Sequence, residues 1–129
     1  AWHRELGYVL LLGQRRMNVG DIFWIEFPAG AGRAQAGRRP GIIAQDAVAS
    51  EHLPTVLVIP LTSQQEALRF PGTVLIEPDR HNVLRRPSVA LTFQLAAVDR
   101  QFLDAYVGRV SDTAMQVVWA AFEEITRPG

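Results

Sequence analysis

The chain has 129 residues, enough for one domain with its own core and too few for a second core plus linker. With 48% hydrophobic and 20% charged residues it has average globular composition, which excludes disordered, collagenous and disulfide-scaffold chains. The 13 basic and 13 acidic residues cancel, and a neutral total argues against a nucleic-acid partner, whose usual footprint is a basic excess. The distribution of charge points the other way. All 13 basic residues are Arg, and the windows 27–45 and 80–98 hold six of them without a single Asp or Glu. Coding bias explains arginine in place of lysine. The acid-free windows carry more information, because like charges cluster only at a cost and a guanidinium fork matches phosphate geometry.

In chain order, residues 1–17 read as an N-terminal extension, of which residues 1–16 are expected to be dispensable for folding, and residues 18–129 as the domain. The apolar run Tyr8 to Leu12 is too short for a membrane span and lacks a small-residue cleavage site, so no membrane contact is expected and the cytoplasm is the expected location. Ile22 to Phe27, rich in aromatic and branched residues, predicts a strand ended by Pro28 and a glycine-rich loop. Pro40 to Gln45 predicts a second strand, with the proline tolerable as its first residue or at an edge. Thr55 to Leu61 is nearly all apolar and predicts a central strand covered on both sides. Thr73 to Ile76 and Ser88 to Phe93 add two strands around a basic loop with Arg80, His81, Arg85 and Arg86. Asp99 to Ala105 reads as a short helix, and Ser111 caps a longer one over Asp112 to Thr126, where Met115, Val118, Phe122 and Ile125 form an apolar stripe flanked by Trp119. Short strands closed by one amphipathic helix predict a small, strongly bent antiparallel sheet or barrel.

Chemistry is sparse at the level of single motifs. His3, His52 and His81 are scattered without metal-ligand spacing, cysteine is absent, and neither a metal nor a cofactor is expected. His52 and His81 read as solvated loop residues. No nucleophile elbow, phosphate loop or dinucleotide glycine pattern is present, which leaves acyl hydrolase, NTPase and dehydrogenase readings without support.

A set of motifs is more specific. Gly20-Asp21-Ile22-Phe23-Trp24, Gly37-Arg38-Arg39-Pro40 entering a hydrophobic strand, and Pro60-Leu61-Thr62-Ser63 ending the next resemble the MazF/PemK toxin family. Ser88-Val89-Ala90-Leu91, Gln94, Val98-Asp99 and Gly108-Arg109-Val110-Ser111 resemble that family's last strands and helix entry, so the resemblance covers about residues 18 to 126. It implies an SH3-like antiparallel β-barrel with a C-terminal helix, homodimerisation, metal-independent cleavage of single-stranded RNA and neutralisation by a cognate antitoxin. Carried over by position, Arg39 and Thr62 match the family's catalytic arginine and threonine. Arg33, Arg38, Ser63, Arg85, Arg86 and Gln94 make up the candidate RNA-binding set around them. Two departures stand out: Ala34 occupies a position where the family frequently has glutamate, and Ala96 replaces a second phosphate-binding arginine.

Without the resemblance, Arg39 reads as an edge arginine and Thr62 as a strand-end hydroxyl satisfying a turn. Two other readings of the whole chain stay open at this stage. One is a non-enzymatic, gyrase-poisoning toxin resembling CcdB, although Ile125 to Gly129 lacks the aromatic-glycine-hydrophobic tip that such a toxin needs. The other is a catalytically weakened RNA-binding module of the same fold.

Overall fold

The computed structural model describes residues 17–28 and 37–129. Strands β1 (Asp21–Phe27), β2 (Gly37–Ile43) and β3 (Thr55–Thr62) are followed by β4 (Thr73–Ile76), β5 (Ser88–Leu91), β6 (Ala96–Asp99) and β7 (Leu103–Arg109). Helix α1 (Ala47–His52) lies between β2 and β3, α2 (Asp112–Thr126) closes the chain, and single 3₁₀ turns occupy Gln65–Arg69, Thr92–Gln94 and Arg100–Phe102. The strands form one antiparallel sheet in the order β4-β5-β3-β2-β1-β7, with β6 also paired to β3. β3 is central, as its apolar run predicts: β2 pairs with it over Val58–Pro60, β6 over Thr55–Val58 and β5 over Leu61–Thr62.

Alternation along the strands gives the sheet two buried faces. On one, Ile22, Ile42, Ile59, Leu61 and Ala90 pack with Met115 and Val118 of α2. On the other, Phe23, Ile25, Phe27, Ile43, Val56, Val58 and Val98 pack with Met17. Met17, placed by sequence in the extension, is therefore a core residue, 6% exposed; residues 1–16 lie outside the described residues.

The closed barrel implied by the family resemblance is not formed. β4 and β7 end the sheet and no ladder joins them. Instead the β4–β5 loop reaches across to β7, where the Arg109 amide donates to the His81 carbonyl at 2.9 Å. A Cβ on Gly108 would lie 2.5 Å from the Asn82 carbonyl oxygen, so glycine is required for this approach. The loop is fastened from within by Asn82, 1% exposed, whose Nδ2 donates to the Glu77 carbonyl and whose Oδ1 accepts from the Asp79 and Leu84 amides.

The short helix expected over Asp99 to Ala105 is also corrected. Asp99 does cap, accepting from the Gln101 amide at 3.0 Å, but only the single turn Arg100–Phe102 follows. So short a helix has little stability of its own, whereas extending from Leu103 as β7 satisfies the free edge of β1. The C-terminal helix matches its predicted bounds, and Ser111 accepts from the Ala114 amide at 3.1 Å. Its buried stripe is Met115, Val118 and Ala121, with Phe122 half-buried and Ile125 on the exposed side. Among the described residues, no helix is long and apolar enough to cross a membrane.

Candidate active site

The arginine pair at the start of β2 is split by the pleat. β1 and β2 pair Glu26 with Arg38 and Ile25 with Arg39, so the two guanidinium stems leave opposite faces of the strand. Arg38 turns to the outside, where its Nη1 donates to Asp104 and its guanidinium lies 4.8 Å from the Trp24 ring centroid. Arg39 shares a face with Ile25, Phe27 and Ile43, the apolar side that packs around Met17. Its Nε is buried and has no hydrogen-bond partner among the described residues. Partial burial pulls its pKa below the ordinary arginine value.

Thr62 ends β3. The β2–β3 ladder pairs Ile43 with Val58, Ile42 with Ile59 and Gly41 with Pro60. The ladder ends at Gly41 and Pro60, and by alternation Arg39, two residues before Gly41, and Thr62, two after Pro60, fall on the same face of the sheet. On its other edge Thr62 pairs with Val89 of β5. The hydroxyl oxygen accepts from the Gln64 amide at 3.2 Å, which leaves its proton available to a ligand. Pro40 lies just outside the β3-paired length of β2, and Pro60 lies on β3 between the lengths paired to β6 and to β5. At both places β2 and β3 each have an edge on which no ladder donor is required, so the prolines are tolerated.

The remaining expected residues separate into three groups. Ser63 is exposed just beyond Thr62, and Gln94 shares with Thr62 a surface cavity of about 180 Å³ that Gln64, Glu66 and Phe70 also line. Arg85 and Arg86 are exposed in the loop entering β5, on the side of β3 away from β2, and form no ion pair among the described residues. The two acid-free windows thus flank the same strand end. Arg38 belongs to the other face, and Arg33 lies outside the described residues together with Ala34. Ala96 pairs with Val58, on the face that carries Arg39 and Thr62. His52 and His81 are exposed; His52 ends α1 rather than lying in a loop. No group of three or more His, Asp or Glu gathers as a metal site among the described residues.

Sequence reasoning missed the cavity wall. The turn Gln65–Arg69 and the turn Thr92–Gln94 place Phe70 and Phe93 against each other at 5.6 Å between ring centroids. Phe70-Pro71-Gly72 was readable as a turn signal, but the partner of Phe70, Phe93, 23 residues further on, was not.

Residues 18–126 match the family described as PemK-like, MazF-like toxins of type II toxin–antitoxin systems, and the chain belongs to that family. It is 28% identical over 104 residues to Endoribonuclease EndoA of Bacillus subtilis, covering 81% of this chain and 89% of that protein. It is 29% identical to Endoribonuclease MazF of Staphylococcus saprophyticus, covering 79% of this chain and 84% of that protein. Among solved structures, MazF from Deinococcus radiodurans shares the fold at a TM-score of 0.71 and 21% identity, covering 84% of this chain and 94% of the other. A mycobacterial endoribonuclease in complex with its cognate antitoxin does so at 0.67 and 18%, covering 87% and 97%.

Proposed function

We propose that this toxin is an endoribonuclease that cuts single-stranded RNA without a metal, with Arg39 and Thr62 at the scissile phosphate. What supports the reading is strand alternation, which gives Arg39, whose buried Nε has no hydrogen-bond partner among the described residues, the same face of the sheet as the strand-end hydroxyl of Thr62. In the reaction the ribose 2′-oxygen bonds to the adjacent phosphorus as its proton passes to water, and the bond from phosphorus to the 5′-oxygen breaks. The products are a 2′,3′-cyclic phosphate and a 5′-hydroxyl. Negative charge grows on the phosphoryl oxygens, where a fixed guanidinium stabilises the transition state more than the ground state. The lowered pKa of Arg39 makes it a better proton donor to the departing 5′-oxygen and a poor base. Thr62 donates its hydroxyl proton to the same phosphate. Ser63, Gln94, Arg85 and Arg86 hold the strand on either side.

The toxin acts in the cytoplasm as a homodimer, and a cognate antitoxin silences it by laying an acidic, apolar segment over the same guanidinium groups. The named relatives, both endoribonucleases, and the neighbour solved with its antitoxin support this reading. A chain shortened to begin at Met17, itself a core residue, is expected to fold and cleave.

The test is incubation of the purified protein with a long RNA in EDTA, followed by mapping of the ends. Fragments with 2′,3′-cyclic phosphate and 5′-hydroxyl ends are expected, and a 2′-deoxy substitution at the cut site should abolish the cut. Intact RNA together with inhibition of gyrase would establish the non-enzymatic reading instead.

A further inference from the structure

We propose that Phe70 and Phe93 form a stacking platform for one nucleobase of the single-stranded RNA, beside the phosphate held at Thr62. The proposal rests on the endoribonuclease reading of Thr62 and adds the element that grips a base. Both rings are 43% exposed and neither belongs to the two buried clusters of the core. They meet edge to face, with centroids 5.6 Å apart and planes at 62°. The Arg69 guanidinium lies over the Phe70 ring, 4.8 Å from its centroid, and brings a cation to the aromatic pair. Both rings line the same cavity as Thr62 and Gln94.

The platform is preorganised. Thr92, 1% exposed, donates twice to the Gly72 carbonyl, from its amide at 2.9 Å and from its hydroxyl at 2.7 Å. This fastens the turn carrying Phe93 to the segment after Phe70. Gly72 has φ +72°, and a Cβ there would lie 2.8 Å from Thr92 Oγ1, so the close approach requires glycine. Thr73 Oγ1 donates to the Phe70 carbonyl at 2.8 Å and holds the other side of the ring's backbone.

The chemistry of the cavity favours a base over other occupants. Single-stranded nucleic acid binds through aromatic faces next to cationic groups, with guanidinium planes adding to the stack. Glu66 on the cavity wall would repel a phosphate but not an uncharged base, and the Gln94 amide offers a donor and an acceptor to a base edge. An apolar antitoxin segment is the other candidate occupant, and the test separates it from RNA.

The experiment measures binding of a fully 2′-O-methylated RNA oligonucleotide, which cannot be cut, by fluorescence anisotropy. A second oligonucleotide carries 2-aminopurine, whose emission is quenched on stacking. Phe70→Leu and Phe93→Leu keep an apolar surface but remove the aromatic face, and each is expected to weaken binding roughly 5- to 150-fold, the range for one lost base–aromatic stack. Phe93→Trp is expected to restore affinity and quenching. Leucine variants that keep their melting temperature and bind like the parent would overturn the platform, whether or not they bind antitoxin less well. A parent that binds with quenching but cuts no RNA would sustain the platform and overturn the catalytic reading. A parent that neither binds nor cuts would overturn both.

Discussion

Arg38 and Arg39 are neighbours in sequence and live in different chemical surroundings. Arg38 has a carboxylate partner in Asp104 and an indole beneath it, so its charge is already engaged before any ligand arrives. Arg39 lies against the apolar face, its buried Nε has no hydrogen-bond partner among the described residues, and that donor gains from an anion. The lesson is that an arginine cluster becomes a candidate site only after the pleat has assigned each member to a face. A guanidinium already satisfied by the protein contributes to stability, and one left short of acceptors is available for catalysis.

The comparison breaks most visibly under substitution of the inner residue. Arg39→Ala is expected to lower kcat/KM for RNA cleavage by about 10² to 10³, the usual cost of losing one preorganised donor at a developing oxyanion, with the melting temperature nearly unchanged. Thr62→Ala is expected to have an effect at the lower end of that range, and Thr62→Ser, which keeps the hydroxyl, to recover most of it. Steady-state cleavage of a fluorescent oligonucleotide reads both.

A gain is expected where the sequence departs from its family. Ala96 is half-buried and faces the Arg39 side of the sheet through its pairing with Val58. Ala96→Arg should add one phosphate contact, tightening RNA binding several-fold and steepening the slope of log affinity against log salt by about 0.7. An unchanged salt slope would place that side chain away from the backbone of the RNA. Arg38→Ala is expected to leave cleavage within assay scatter. Its ion pair is solvent-exposed at both ends, with side chains 45% and 61% accessible, so denaturant unfolding should show a loss of about 1 kcal/mol or less.

The smallest expected effect lies in the loop that spans the open side of the sheet. The Asn82 and His81 amides, both 2.8 Å from Asp79 Oδ1, hold that carboxyl below its usual pKa. A lowered folded-state pKa adds stability above the ordinary aspartate value of about 4, and that stability is lost as pH falls through the folded value. The parent's melting temperature should therefore drop more steeply on acidification below about pH 4 than that of Asp79→Asn, which does not titrate. Parallel acid profiles would show that the turn draws nothing from the charge.

The legible parts of the fold were those dictated by local pattern. Thr73–Ile76 and Asp112–Thr126 match their predicted bounds, and the apolar Thr55–Leu61 run identified the central strand. Pairing partners decided the rest. Leu103–Arg109 has weak alternation, with exposed Asp104, Ala105 and Tyr106 in succession, and became a strand because β1 offered an edge and the ladder absorbed two register shifts. Ser88–Phe93 shortened to Leu91 because Thr92 turns to bond Gly72. Barrel closure was not decided by the strands at all, since the loop around Asn82 fills the gap by backbone contact with Gly108. At the site, residue types were readable and faces were not. The resemblance gave Arg38 and Arg39 different roles, and the register with Glu26 and Ile25 adds that they lie on opposite faces.

The measurement that bears most directly on this account is the ratio of cleavage rates of Arg38→Ala and Arg39→Ala on the same single-stranded RNA in EDTA, both variants checked for a parental melting curve. The structure predicts that Arg38→Ala cuts at close to the parental rate, leaving 2′,3′-cyclic phosphate ends, while Arg39→Ala is slower by about 10² or more. Equal rates for the two, or parental cleavage that appears only when a divalent metal is added, would contradict it.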